Sequence, residues 1–216
     1  MFLSRRDILR GSAASGAGLL SPLGASAASE PGLGDMAAKA GILYGAAMGS
    51  PRKLEPEYVQ LLGRQTKLVV TENATKFGTL QPQQGVFDFS EADDIFDYAK
   101  MRGKKAHAAA LIWNDDNPSW LKGLPGREIE RIFDAHIERV VSRYAGRVIS
   151  WEAVNEPFFP LQGKQGGYRD GPWFAAMGAS YIPRALRRVA SIDKTAKLVV
   201  NEAFCESNHA WGRANR

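Results

Sequence analysis

Glu156 is the side chain in this sequence best placed to move a proton. It follows an apolar run, VISWEAV at 148–154, and stands between Asn155 and Pro157. Proline disfavours the helical region for the residue before it, which predicts an extended backbone at Glu156 and a carboxyl projecting in a fixed direction from a strand end. Partial burial beside Trp151, Phe158 or Phe159 is expected. Such a setting keeps a carboxyl protonated near neutral pH, and a protonated carboxyl can donate to the leaving oxygen of a glycoside. The alternative is an ion-paired glutamate with a purely structural role.

Other polar residues also close apolar runs. Glu72-Asn73 follows KLVVT (67–71), Trp113-Asn114 ends the apolar stretch 105–113, and Asn201-Glu202 ends KLVVN (197–201). With 41–47 and 148–154, these give five predicted strands. Helical periodicity lies between them. It covers 58–65, 91–102 (Ala92, Ile95, Phe96, Ala99), 127–144 (Ile129, Ile132, Phe133, Ile137, Val140, Val141) and 173–191, the last with a kink expected at Pro183.

Strands alternating with helices predict a parallel α/β fold, and both a doubly wound sheet and a (β/α)8 barrel begin this way. The segment Gly45-Ala-Ala-Met-Gly49 lacks the dinucleotide fingerprint and runs into Pro51. The polar residues gather instead at strand C-termini, the active face of a barrel. The fold expected is therefore α/β, of the (β/α)8 TIM-barrel type.

Composition excludes several classes of function. The chain has 216 residues, 44% of them hydrophobic, and a net charge of +5. Arg5, Arg6 and Arg10 against Asp7 account for part of that charge, and the other basic residues are scattered, so no nucleic-acid partner is expected. The one cysteine, Cys205, permits no disulfide within the chain. His107, His136 and His209 are dispersed, so no metal site and no cofactor are expected.

Residues 1–28 read as a signal peptide. Ser4-Arg5-Arg6-Asp7-Ile8-Leu9-Arg10 resembles a twin-arginine export motif, a mildly apolar run follows, and Ala25-Ser26-Ala27 fits a cleavage site. The run is too short to span a bilayer. A periplasmic or secreted location is expected, with no membrane association after cleavage and a catalytic domain over 29–216. Oligomeric state is left open.

The tract Trp151-Glu-Ala-Val-Asn-Glu156 resembles the W-D-V-V-N-E motif of glycoside hydrolase family 10, the retaining xylanases. Upstream, Glu72-Asn73-Ala-Thr-Lys76-Phe77, then Pro82, Gly85, Phe87, Phe89 and Ala92-Asp93, resembles that family's E-N-x-M-K-W…P…G-x-F-x-F…A-D. Ile112-Trp113-Asn114…Pro118-Ser119-Trp120 is similar to V-W-H-x-x-x-P-S-W. His136-Ile137…Arg143-Tyr144 and 197–201 match further segments in order.

The resemblance implies an endo-1,4-β-xylanase acting on xylan or xylo-oligosaccharides. Glu156 would be the acid/base, and Asn155 would bind the 2-hydroxyl of the sugar at the cleavage site. Glu72, Asn73 and Lys76 would bind the next sugar on the non-reducing side. Trp113 would offer an apolar face near the reacting ring, and Asn201 matches an active-site asparagine on the fifth strand.

The departures from the family pattern are specific. Ala109 and Asn114 stand where the family has histidines, Phe77 where it has tryptophan, and Asp116 where it has glutamine. The family's nucleophile lies on a seventh strand, whereas this sequence reaches only its fifth by Arg216. About five of eight βα units are thus expected, with the nucleophile absent from the chain, an open sheet and no turnover. Glu202 and Glu206 are the only late glutamates. A non-catalytic barrel, a polysaccharide-binding remnant, and a β-glucanase of a related barrel family that shares Asn-Glu-Pro are the alternatives.

Overall fold

The structure, a computed structural model, describes residues 30–203 other than Gly163, together with Cys205. The expected signal peptide, Glu206 and His209 lie outside the described residues. From Pro31 onward the described residues belong to one unit.

One parallel sheet organises that unit. Its strands are β1 (Gly45–Met48), β2 (Leu68–Thr71), β3 (Lys105–Ala108), β4 (Ile112–Trp113), β5 (Ser150–Asn155) and β6 (Lys197–Asn201). β1 pairs with β2, β2 with β3, and β3 with β5, while β4 and β6 also pair with β5, every pair parallel. Helices α1 (Leu33–Lys39), α2 (Pro56–Gln65), α3 (Phe77–Leu80), α4 (Ser90–Met101), α5 (Gly126–Tyr144), α6 (Pro172–Met177) and α7 (Tyr181–Ile192) connect the strands. This is the strand–helix alternation of a (β/α) barrel, with every strand C-terminus on one face.

The expected strand 105–113 is two pieces. β3 pairs with the first half of β5 (His107↔Ser150) and β4 with its end (Trp113↔Asn155). Between them the Ala109 peptide leaves the ladder. Its N–H donates to Thr71 Oγ1 at 2.9 Å, and its carbonyl accepts from Thr71 Oγ1 at 3.1 Å and Thr75 Oγ1 at 2.8 Å. Side-chain hydroxyls replace the lost backbone partners, as burial demands. β1 is also shorter than the expected 41–47: Ile42, Leu43 and Tyr44 precede it and are exposed.

The expected helix 173–191 is also two pieces, and Pro183 does not kink it. The break falls at Gly178, whose φ of 57° suits only glycine without strain. Pro183 sits in the first turn of α7, where its missing N–H costs no intrahelical bond.

The core lies between the sheet and the helices. Ala106 and Ala108 of β3 and Trp151 and Ala153 of β5 are buried together with Ile95 and Phe96 of α4, Phe133 and Ile137 of α5 and Trp173 of α6. Fully burying each large apolar side chain contributes about 1.5–3 kcal/mol. Asp193 ties the end of α7 to the sheet: it accepts from Trp151 Nε1 at 3.0 Å and from Thr195 N at 2.9 Å. No helix among the described residues is long and apolar enough to cross a membrane.

Candidate active site

Four strand ends deliver the polar residues. Glu72, Asn73 and Lys76 follow β2, Asn114 and Asp115 follow β4, Asn155 and Glu156 end β5, and Asn201 and Glu202 end β6. The parallel pairing sets Trp113 beside Asn155 and Asn155 beside Asn201.

On the β2–β4 side, Lys76 Nζ donates to Asn73 Oδ1 at 2.7 Å and lies 4.9 Å from the Trp113 ring centroid. Asn73, Lys76 and Trp113 therefore form one group, with Glu72 exposed beside them. Phe77 turns away from this group. It is buried against His136, Trp173 and Trp120, with ring centroids 4.3, 4.9 and 5.8 Å away.

On the β5–β6 side, Asn201 Nδ2 donates to Asn155 Oδ1 at 2.8 Å, and Glu156 N donates to the Asn201 carbonyl at 2.8 Å. Glu156 is not extended. Its φ is 43°, in the left-handed region that non-glycine residues seldom occupy. Its side chain is partly buried, and Oε2 accepts from Arg169 Nη2 at 3.0 Å. The same guanidinium donates through Nε to the Glu156 carbonyl at 2.8 Å and through Nη1 to Asp115 Oδ2.

Both oxygens of Glu202 accept main-chain donors, Phe158 N at 3.0 Å and Ala203 N at 2.8 Å. Burial raises the Glu202 carboxyl above its ordinary value, and the nearby charge of Glu156 adds to this. The two N–H donors and Arg169 oppose it.

Asn114, where the family pattern has histidine, faces away from the strand-end residues. It is buried, donates to Tyr181 Oη at 3.2 Å and to the Arg169 carbonyl at 3.4 Å, and accepts from Trp173 N at 3.3 Å. A cavity of about 590 Å³ lies beyond it, between the loop after β4 and α6, lined by Asn114, Asp115, Leu121, Ile129 and Asp170. Glu156, Asn155 and Trp113 are not among its walls. Among the described residues no group of three or more His, Cys, Asp or Glu side chains is arranged to hold a metal ion.

Sequence reading did not find Arg169 or Asp115. Arg169 lies in a glycine-rich stretch, 164–171, with no periodicity to place it. The usable signal was an arginine in a loop between two aromatic-rich segments, since an arginine that becomes buried must find carboxylates.

Parallel strands with amides and carboxylates gathered on their C-terminal ends are the arrangement of a (β/α) barrel. Residues 32–214 match the model of glycosyl hydrolase family 10, and the chain belongs to that family. It is 30% identical over 183 residues to an endo-1,4-beta-xylanase of Agaricus bisporus, covering 82% of this chain and 54% of that protein. It is 31% identical over 145 residues to a beta-1,4-xylanase of Dictyoglomus thermophilum, covering 67% and 41%. Among solved structures, xylanase 10B from Thermotoga petrophila RKU-1 in complex with xylobiose superposes with a TM-score of 0.76 at 26% identity, over 85% of this chain and 57% of that one. The chain spans about half the length of the curated relatives it matches.

Proposed function

We propose that this chain carries the proton-donating and sugar-binding part of an endo-1,4-β-xylanase site. The supporting observation is the row Trp113, Asn155, Asn201 across adjacent strand ends, with Glu156 following directly. Glu156 acts as the acid/base of a retaining reaction. It protonates the leaving glycosidic oxygen while a second carboxylate, about 5–5.5 Å away, attacks the anomeric carbon. Glu202 does not suit that second role, because both of its oxygens are engaged by backbone N–H groups. The nucleophile comes from outside the described residues.

Asn155, its oxygen held by Asn201, directs its amide N–H groups to the 2-hydroxyl of the reacting sugar. Glu72, Asn73 and Lys76 bind the hydroxyls of the next sugar, and Trp113 supplies apolar area to a ring face. Xylan or xylo-oligosaccharides are the substrates. The reading is tested by reducing-sugar release from xylan by a version of this chain extended with the nucleophile-bearing strands of a family relative, and by its Glu156→Gln variant. Loss of proton donation is expected to slow turnover by about 10²–10⁴-fold. An unchanged rate removes Glu156 from the acid/base role.

Export through the twin-arginine route, motivated by Arg5-Arg6 and Ala25-Ser26-Ala27, is part of the same proposal. Replacing both arginines by lysine should leave the protein in the cytoplasm, and secreted protein that still begins at Met1 would count against cleavage.

A further inference from the structure

We propose that Arg169 is a positioning residue for the proton donor and that Asp115 is its anchor; this rests on the reading of Glu156 as the acid/base. The Arg169 side chain is only 7% exposed, so its charge has left water and must be paired. Each arm of its fork serves a different acceptor: Nε the Glu156 carbonyl, Nη2 the Glu156 carboxylate, and Nη1 the Asp115 carboxylate. The arginine is itself fixed. Its main-chain N–H donates to the Pro157 carbonyl at 2.8 Å, and its guanidinium lies 4.7 Å from the Phe159 ring centroid. Asp115 reaches it from the loop after β4.

The grip spans both main chain and side chain of one residue. Glu156 holds a left-handed backbone, which is strained in a non-glycine residue and persists only where the surroundings enforce it. Asn201 holds the peptide before it and Arg169 Nε the carbonyl after it. With Oε2 on Arg169, the carboxyl is held in one orientation relative to the main chain. Small misplacements of such a group cost large factors in rate. Lysine cannot reproduce the contact, because a single ammonium cannot span three acceptors in a plane.

The test compares the same extended protein, as wild type, with its Arg169→Lys and Asp115→Asn variants. Turnover is measured on xylan, whose leaving group needs a proton, and on dinitrophenyl xylobioside, whose leaving group does not. For Arg169→Lys, kcat on xylan should fall about 10–100-fold with KM nearly unchanged, while the first step on the aryl substrate falls only a few-fold. Asp115→Asn should show the same pattern, weaker. Equal losses on both substrates mean a merely structural arginine and overturn the proposal, as does no loss. Crystal structures of the wild type and Arg169→Lys give a readout that needs no turnover. The Glu156 carboxyl should be displaced in the variant, and an unmoved carboxyl overturns the proposal. A wild type inactive on xylan defeats the xylanase reading instead, and leaves the crystallographic comparison to decide the clamp.

Discussion

Asn201 and Asn155 share one hydrogen bond, 2.8 Å long, between the ends of neighbouring strands. The bond fixes which way the Asn155 amide faces, so a contact on β6 sets the donor presented by β5. Asn201→Ala should weaken xylo-oligosaccharide binding about 5–10-fold, the value of roughly 1 kcal/mol for one hydrogen bond. Asn201→Asp, which cannot donate when ionised, should weaken it further. Isothermal titration of both variants decides; unchanged affinity would mean that Asn155 orients without its neighbour.

His136 makes stability depend on pH. Burial lowers the imidazole from the usual 6.5 to about 3, and the Leu111 main chain offsets only part of this. Its rings of contact are Phe77 at 4.3 Å and Phe87 at 6.0 Å. The folded value is below the unfolded one, so the unfolded chain takes up the extra proton between them. Stability from this residue is complete above about 6.5 and falls as pH drops toward about 3, by about 1.4 kcal/mol per pH unit. Urea unfolding at pH 7.5 and pH 5 should show the loss, and His136→Phe should flatten it. A wild-type midpoint that does not move over this range refutes the account.

Gly171 is packed against Asn114. A Cβ added there would stand 2.5 Å from the Asn114 Cβ and Oδ1. Gly171→Ala should therefore destabilise the fold by about 1–3 kcal/mol, as Asn114 is driven off Trp173 N and Tyr181 Oη. Combining it with Asn114→Gly, which removes the Cβ as well as the amide, should cost less than the sum of the two single changes. Chemical denaturation of the three variants measures this, and strict additivity contradicts the steric cause.

The strands were legible because KLVVT and KLVVN are short β-branched runs ending in polar residues. The strand-end position of Glu156 was legible from Asn-Glu-Pro, and the groups on β2, β4, β5 and β6 from the family motifs. What the sequence hid was long-range. The interruption at Ala109 depends on hydroxyls of Thr71 and Thr75, which belong to the neighbouring strand and the loop after it. Pro157 argued for an extended Glu156, and bonds from Asn201 and Arg169 overrode that local preference. Arg169 has no spacing that marks it, because its partners lie 13 and 54 positions away. The Gly178 break was hidden because apolar residues recur at helical spacing on both sides of it.

Asp115 and Arg169 join the loop after β4 to the loop after β5, and Asn114 joins the same two segments a second time through the Arg169 carbonyl. The two loops are therefore one physically coupled unit. A chimera that takes either loop alone from a relative with a different pairing would bury an arginine without its acid or strand an acid without its arginine. Recombination among such barrels should succeed only at crossovers that keep positions 114–115 and 156–171 from the same parent.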